Sequence, residues 1–402
     1  MKLGYIHSSK EEQTKVLQVL KMTSESVALD ELGIGRIRDA FADLMFPGTS
    51  TLQKHIKYFS LMPQVYKEAM KKRYNRRSEV RGEIVRLERI MTEKLCEDSI
   101  NRTGHIESGI TGSEMIKNKR GNYVKYDPAY IYNSGLQTFE ILKSTQLYEL
   151  IFSASNAQHK SIERYKTDDE DSADDTVEKE GLFQFCSFPI VNYDFTKNCS
   201  LNLTKEDKEF IIVHILNTKA CKGTLLRYFV DNLDKIEPHV EFENIKGLPQ
   251  NLAHIHNLAC KFADFIYILY VRYNYIFSDY KDSELLEEFN YLAEEYRMSG
   301  TNMKSVLAAV SVRDNNCKAF CLIAEQHLLQ DNICEGGELD KCIIDREKRI
   351  KQSRHKIGNP SYIYDSKKRI HYYKLTYRWG TVQKFIDELR KERPNILVCG
   401  DY

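Results

Sequence analysis

The sequence has little net charge and no long apolar run. Its 59 Lys and Arg residues nearly balance 58 Asp and Glu residues, for a formal net charge of +1, so attraction to nucleic acid or an anionic membrane has to come from a local patch. The most apolar stretch, 265–271, is bracketed by Asp264 and Arg272 and is far shorter than the roughly 20 apolar residues of a membrane span. The first residues, MKLGYIHSSKEEQ, lack the apolar segment of a signal peptide. These absences predict a soluble, cytoplasmic protein in which 265–271 belong to a buried helix.

Motifs for metals and nucleotides are also missing. The ten cysteines form no CxxC pair, which argues against a zinc knuckle and for reduced thiols. Cys317 and Cys321 share a helix face, but no second ligand pair follows nearby, so we interpret them as core residues. Gly33 and Gly35 lack the third glycine and the preceding strand of a dinucleotide site, and no phosphate-binding loop of the form GxxxxGK occurs. The sequence therefore predicts neither a metal nor a cofactor.

Helical periodicity dominates the chain, and we predict a mainly α, multi-helix fold with a small C-terminal element of helix plus β-hairpin that resembles a winged helix. The hairpin prediction rests on aromatic and β-branched residues on both sides of a polar turn at 365–368. At 402 residues the chain is long enough for more than one hydrophobic core. The predicted divisions are a helical domain at 1–160, an acidic linker or loop at 161–180, a second helical domain at 181–335, and a basic helix, hairpin and final helix at 336–402.

A unit of helix, tight turn and helix is predicted at 30–62. Pro47 and Gly48 break the first helix, and the spacing of Ser50 and Gln53 is typical of the capping box that begins a second one. A short second helix after a tight turn is the geometry that places side chains in a DNA major groove. An ordinary helical hairpin is the alternative. The outward residues of the second helix, and thus candidates for nucleic-acid contact, are Lys54, His55 and Lys57.

Two stretches concentrate positive charge. One is 67–81, and the other is 346–369, where cations alternate with tyrosines. Cations beside aromatic rings provide phosphate contact and base stacking, although a solvated surface or a docking face for an acidic partner gives the same pattern. The candidate nucleic-acid-binding residues in and beside these stretches are Arg73, Arg76, Arg77, Arg349, Lys351, Arg354, Tyr364, Lys367, Lys368, Arg369 and Tyr372.

Two sets of residues fit an enzyme, though less well. His256, Cys260 and Asp264 recur every four residues along a predicted helix, which places three metal ligands on one line, but a polar network in the core accounts for the same line. Arg349 and His355 have the loose spacing of arginine and histidine in some helical ribonucleases, which a basic helix also produces by chance. We therefore assign no catalytic residue.

Three stretches resemble a family of bacterial proteins known only as a domain of unknown function. They are DELGIGRIRDAFADLMFPGTSTLQKHIKYFSLMP at 30–63, YDPAYIYNSGLQTFEI at 126–141 and LTYRW at 375–379. The first stretch is specific and the other two are looser. The resemblance implies antiphage defence, because genes of that family tend to lie in defence islands near helicases and phospholipase-D-like nucleases, including systems similar to the one named Azaca. It carries over no catalytic residue.

The local positive charge and the missing catalytic set, read together with this resemblance, favour a non-catalytic subunit of an antiviral complex. Such a subunit binds DNA or a helicase or nuclease encoded beside it, and it has no membrane partner. The alternatives are a cryptic nuclease effector and a pure protein scaffold.

Overall fold

The computed structural model describes residues 30–118, 124–165, 185–235, 237 and 239–390. Within these ranges the chain is mainly helical, as predicted, and no strand forms there; an isolated antiparallel bridge joins Leu142 to Cys186. None of the described helices is both long and apolar enough to cross a lipid bilayer. The α-helices of the described ranges are α1 (Gly35–Met45), α2 (Tyr58–Ala69), α3 (Ser78–Thr103), α4 (Ser113–Lys117), α5 (Pro128–Thr138), α6 (Leu147–Tyr165), α7 (Lys205–Asn217), α8 (Leu225–Asp231), α9 (Gln250–Phe277), α10 (Ser283–Met298), α11 (Met303–Ala308), α12 (Asn315–Leu328), α13 (Glu338–Lys351) and α14 (Trp379–Arg390).

The chain forms two compact units, each built from segments that are distant in sequence. Among the described residues, unit 1 comprises those within 30–44 and 246–377, and unit 2 comprises those within 45–245 and 378–390. The predicted domains at 1–160, 181–335 and 336–402 follow one another in sequence, so they group the residues differently from these two units. That domain division stays a prediction. Of its acidic linker, only 161–165 is described, as the end of α6, and the rest lies outside the described residues.

Helix α9 is the central element of unit 1. It contains the apolar stretch 265–271, most of which is buried as predicted, and it packs against α10, α11 and α13. Helix α12 packs against α11 and α13. Its residues Cys317 and Cys321 are both fully buried, and every described cysteine is a free thiol. The two cysteines are therefore core residues, as their helical spacing indicated.

A buried ion pair joins α9 to α13. The guanidinium of Arg272 donates two hydrogen bonds to the carboxylate of Asp340, at 2.6 and 2.9 Å, and both side chains are fully buried. Arg272 also donates to the carbonyl oxygen of Cys334 at 3.0 Å. Asp340 accepts the Gly336 backbone N–H at 2.8 Å and the Tyr280 hydroxyl at 3.2 Å. These additional hydrogen bonds are what a buried pair needs to offset its desolvation.

Aromatic rings fill the core of unit 2. Phe59 of α2 meets Tyr132 of α5 and Phe385 of α14 edge to face, with ring centres 5.2 and 6.1 Å apart, the arrangement that aromatic quadrupoles favour. Helix α5 comes close to the turn before α2 because Gly135 has no side chain. A β-carbon there would lie 2.5 Å from the carbonyl oxygen of Gly48, so this packing requires glycine.

The predicted tight turn between the first two helices is wrong. Helix α1 ends at Met45 and α2 begins only at Tyr58. Ser50 does donate its N–H to the Gln53 side chain, at 3.0 Å, but these residues close a turn instead of starting a helix. The reason lies in tertiary contacts, because the Tyr132 hydroxyl accepts the backbone N–H groups of the next two residues, at 3.1 and 3.2 Å.

The predicted C-terminal β-hairpin is also absent, in a stretch that the structure describes completely. Residues 362–377 form turns around a short 3-10 helix, Ser366–Lys368. Backbone groups that a hairpin would pair across strands are bound by side chains here. The amide of Asn274 in α9 donates to the Ile370 carbonyl at 2.8 Å and accepts the Ile370 N–H at 2.7 Å. Competition from α9 thus overrides the local β propensity.

Helix α3 buries a carboxyl group in unit 2. Glu88 is fully buried; its Oε1 accepts the Ala129 N–H at 2.6 Å, while Oε2 has no hydrogen-bond partner among the described residues. The buried Tyr66 hydroxyl is likewise without one there. Burial, together with the nearby Asp127 carboxylate, raises the pKa of Glu88 well above its ordinary value. The fold therefore favours the neutral acid.

The buried pair in unit 1 makes a stability prediction. Asp340→Ala should lower the free energy of unfolding by roughly 3–5 kcal/mol, because it leaves the Arg272 charge buried without a counter-ion. The neighbouring variant Lys341→Ala is the control, since Lys341 pairs with Glu338 at the exposed surface, where solvent screens the pair, and its loss should cost far less. Urea unfolding measures both, and equal costs would contradict the assigned role of the pair.

Glu88 makes a prediction about pH. A carboxyl whose pKa is raised in the folded state contributes full stability below its unfolded pKa of about 4.3 and loses it as pH rises. Glu88→Gln keeps the neutral shape, so it should stabilise the fold at pH 7, by on the order of 1 kcal/mol or more, and leave it nearly unchanged near pH 4. Urea unfolding at both pH values tests this, and a variant that is destabilised at pH 7 would refute it.

Candidate nucleic-acid interface

The three candidates from the predicted helical hairpin precede α2 and do not lie along its outer face. Lys54 is exposed. His55 is buried, with Nδ1 2.7 Å from Oε1 of Glu388. Lys57 is buried in an ion pair with Asp207. Of these three side chains, only Lys54 is placed to meet a phosphate.

Lys57 is one of the residues that line a cleft of about 310 Å³ in unit 2. Its ammonium is 4.4 Å from the centre of the Tyr193 ring, and Ser60 donates to the same Asp207 carboxylate at 2.5 Å. Burial raises the pKa of Asp207, but Lys57 and the hydrogen bonds from its neighbours hold it below the usual value. Ser60, Lys57 and Asp207 are all buried, and the Asp207 carboxylate binds the other two side chains, so these three residues form an internal polar contact.

Sequence reasoning missed this cluster. Thr204 and Asp207 have the spacing of a capping box, and both of its hydrogen bonds form at the start of α7. That spacing could have placed Asp207 at a helix N-terminus. Nothing local could have linked Asp207 to Lys57, because the two residues are 150 positions apart.

Acidic neighbours neutralise much of the basic stretch at 67–81. The guanidinium of Arg77 is 2.5 Å from the Glu149 carboxylate, and Lys72 is 2.8 Å from Glu83. Arg73 and Arg76 are exposed in the turn between α2 and α3. This surface is therefore mixed in charge and not a concentrated positive patch.

Residues 352–377, the C-terminal segment of unit 1, turn three of the predicted candidates inward. Arg369 binds the Asp282 carboxylate at 3.1 Å, and its guanidinium lies 4.9 Å from the centre of the Tyr372 ring. The Tyr364 hydroxyl donates to the same carboxylate, and the Tyr372 hydroxyl donates to Glu288 further along α10. These side chains attach the segment to α10, so they are not available to a ligand.

Lys351 takes part in a second internal contact, the Glu31 cluster, which consists of Glu31, Lys351, Lys356 and His371. The buried Glu31 carboxylate lies 3.3 Å from Lys351 Nζ, 3.0 Å from Lys356 Nζ and 2.8 Å from His371 Nε2. Burial raises the pKa of Glu31, but His371 and the two lysines lower it to about 2. The carboxylate therefore stays ionised and ties the end of α13 and residue 371 to the segment before α1.

Neighbouring hydrogen bonds hold Glu31 in position. Asp30 accepts the backbone N–H groups of Leu32 and Ile34, at 3.1 and 2.6 Å, and the hydroxyl of Tyr270 on α9 at 2.5 Å. Arg346 of α13 donates to the Leu32 carbonyl at 2.8 Å. The backbone at 30–34 is thus fastened to both α9 and α13, which places the Glu31 carboxylate beside its cations.

The remaining candidates of unit 1 point to solvent. We call them the basic face, defined as Arg349 at the end of α13 and Arg354, Lys367 and Lys368 in the C-terminal segment; all four are exposed. Within the described part of the chain, no carboxylate lies within ion-pair distance of any of them. They are the residues through which the predicted phosphate contacts remain available.

The two enzyme-like sets do not come together as catalytic sites. His256 Nε2 and Cys260 Sγ are 3.6 Å apart, but the Asp264 carboxylate is 2.9 Å from Lys374 Nζ. His355 donates from Nδ1 to the Gln352 carbonyl at 2.7 Å, in the turn that follows α13. Among the described residues, no group of three or more His, Cys, Asp or Glu side chains is arranged to hold a metal ion.

Part of the chain is similar to a known protein family. A family of unknown function, DUF6361, matches residues 1–161, a part that includes the stretches at 30–63 and 126–141 but not the one at 375–379. No curated protein and no solved structure matches the chain. Because DUF6361 is a family of unknown function, the match assigns no activity, and the link to defence stays a prediction.

The Glu31 cluster makes a pH-dependent prediction. A carboxyl whose pKa is lowered in the folded state contributes full stability above its unfolded pKa of about 4.3 and loses it as pH falls through about 2. Glu31→Gln should therefore cost roughly 3 kcal/mol at pH 7 and progressively less below pH 4. It should also speed amide hydrogen exchange in 352–377. The exposed Glu338→Gln is the control; equal costs at both positions would count against the cluster.

Proposed function

We propose that this chain is a non-catalytic binding subunit that contacts nucleic acid through the basic face of unit 1. The proposal rests on one observation: some of the predicted cations are bound inside unit 1, and others are exposed. Lys351 and Arg369 are bound to carboxylates inside unit 1, whereas the four residues of the basic face are exposed and unmatched by acid within the described part of the chain. Cations with no structural role of their own remain available for phosphates.

The overall charge of the protein supports a local mode of contact. At a net charge of +1 the chain exerts little long-range attraction on a polyanion, so binding has to depend on short-range ion pairs at the basic face. Neutralising phosphates there releases condensed counterions, and the affinity should fall steeply as salt rises.

The setting that we propose is antiviral defence in the cytoplasm, together with a helicase or nuclease encoded beside this protein. The ground for this part is the resemblance of the stretches at 30–63, 126–141 and 375–379. A pure scaffold, in which the basic face docks an acidic protein, is the alternative within the binding class. A cryptic nuclease is less well supported, because neither enzyme-like set is assembled in the described residues.

The basic face gives a direct test of binding. Replacing Arg349, Arg354, Lys367 and Lys368 together with Gln should weaken binding of the full chain to DNA at low salt. It should also reduce the slope of log affinity against log salt by roughly 2 to 4, because each lost phosphate contact removes about 0.9 from the slope. Fluorescence anisotropy across a salt series measures both effects.

A matched variant controls for the loss of charge. Lys281, Lys304, Arg313 and Lys341 are also exposed cations of unit 1, and their fourfold replacement with Gln removes the same charge at other positions. This control should bind nearly as the wild type does. If both fourfold variants bind equally well, the basic face is not a nucleic-acid interface; if a neighbouring gene product binds through it instead, the scaffold alternative is correct.

A further inference from the structure

Of the five tyrosines in the C-terminal segment, Tyr377 is buried, and the other four divide into two pairs. Tyr364 and Tyr372 donate to carboxylates of the α10 region. Tyr362 and Tyr373 are exposed, Tyr373 to 60% of its surface. Two aromatic rings therefore face solvent on the segment that also carries most of the basic face.

The exposed ring of Tyr373 is held in place from one side. Nδ1 of His371 lies 3.0 Å from the Tyr373 hydroxyl, and the two rings meet edge to face with centres 5.8 Å apart. His371 in turn lies 4.9 Å from the Tyr270 ring, centre to centre, and 2.8 Å from the Glu31 carboxylate. A ring that is already immobilised loses less conformational entropy when a ligand stacks on it.

The backbone at this point is in an unfavourable conformation. His371 has a φ of +46°, in the left-handed region that disfavours residues with a β-carbon. The Tyr373 N–H donates to the His371 carbonyl at 2.8 Å, so the chain reverses within three residues. Such a conformation persists only where surrounding contacts enforce it, and it is frequent at ligand sites. Here His371 contacts Glu31 and Asn274 binds the backbone of the preceding Ile370, and Tyr373 is left facing solvent.

From this arrangement we propose that the basic face binds single-stranded nucleic acid in preference to duplex, with a base stacked on Tyr373 and the adjoining phosphates on Lys367 and Lys368. This inference rests on the proposed function. Every unpaired base has a free ring face, and stacking on an aromatic side chain contributes irrespective of sequence. In a duplex the bases stack on each other, so the Tyr373 ring finds no partner and only the phosphate contacts remain.

The test compares Tyr373→Leu with the wild type on two probes, a short fluorescent oligothymidylate and a duplex of the same length. Loss of one stacked base should weaken oligothymidylate binding roughly 5- to 100-fold and leave duplex binding within about 2-fold. Tyr373→Phe keeps the ring and should retain most of the affinity. Oligouridylate is a third probe, which shows whether single-stranded RNA is bound as well as DNA.

Tyr291→Leu is the matched control, because Tyr291 of α10 is a tyrosine of the same unit with 64% of its surface exposed. An unchanged oligothymidylate affinity in Tyr373→Leu, beside a weakened fourfold basic-face variant, overturns the stacking inference and leaves the proposed function standing. Equal weakening on both probes also overturns it. If the fourfold variant binds both probes as the wild type does, the proposed function itself fails.

Discussion

The buried carboxylate of Glu31 is the constraint on which the arrangement of unit 1 depends. Removing a charge from water costs several kcal/mol unless it is paired, and Glu31 meets that requirement only when three elements come together. These are the end of α13 with Lys351, the following turn with Lys356, and the distant residue His371. The C-terminal segment contains only short 3-10 helices within its described residues, so contacts of this kind determine its path.

Elsewhere in unit 1, tyrosine hydroxyls donate hydrogen bonds to other buried carboxylates. The hydroxyl of Tyr273 donates to Glu347 at 2.6 Å, and that of Tyr296 donates to Glu325 at 2.8 Å. A tyrosine buries an apolar ring and also supplies one hydrogen-bond donor to a carboxylate. Burial and the adjacent carboxylate raise the pKa of Tyr273 far above its usual value, so the donor is retained. Much of the aromatic content of the chain is therefore structural.

Because many polar residues bind one another inside unit 1, fewer of them remain exposed to contact a ligand or a partner. A cluster of basic and aromatic residues in the sequence looks like a single binding patch, but Arg369, Tyr364 and Tyr372 serve to attach one segment to α10. What faces solvent is a smaller set of cations with two tyrosines beside them. Some of these side chains are bound and others are exposed because carboxylates lie at the start of α10 and bind the nearest hydrogen-bond donors.

Local patterns in the sequence were sufficient to predict the helical class, the core helix α9 and the buried cysteines of α12, because helical periodicity and apolar content act over neighbouring residues.

Local patterns were insufficient wherever the partner of a polar group lies far along the chain. The Ser50 capping pattern became a turn because Tyr132 accepts the amides that follow it. The hairpin was replaced by turns because Asn274 binds Ile370, and Lys57 was buried because Asp207 lies against it. Tertiary structure alone decided these points, since hydrogen bonds and ion pairs between distant residues leave no periodic trace in the sequence.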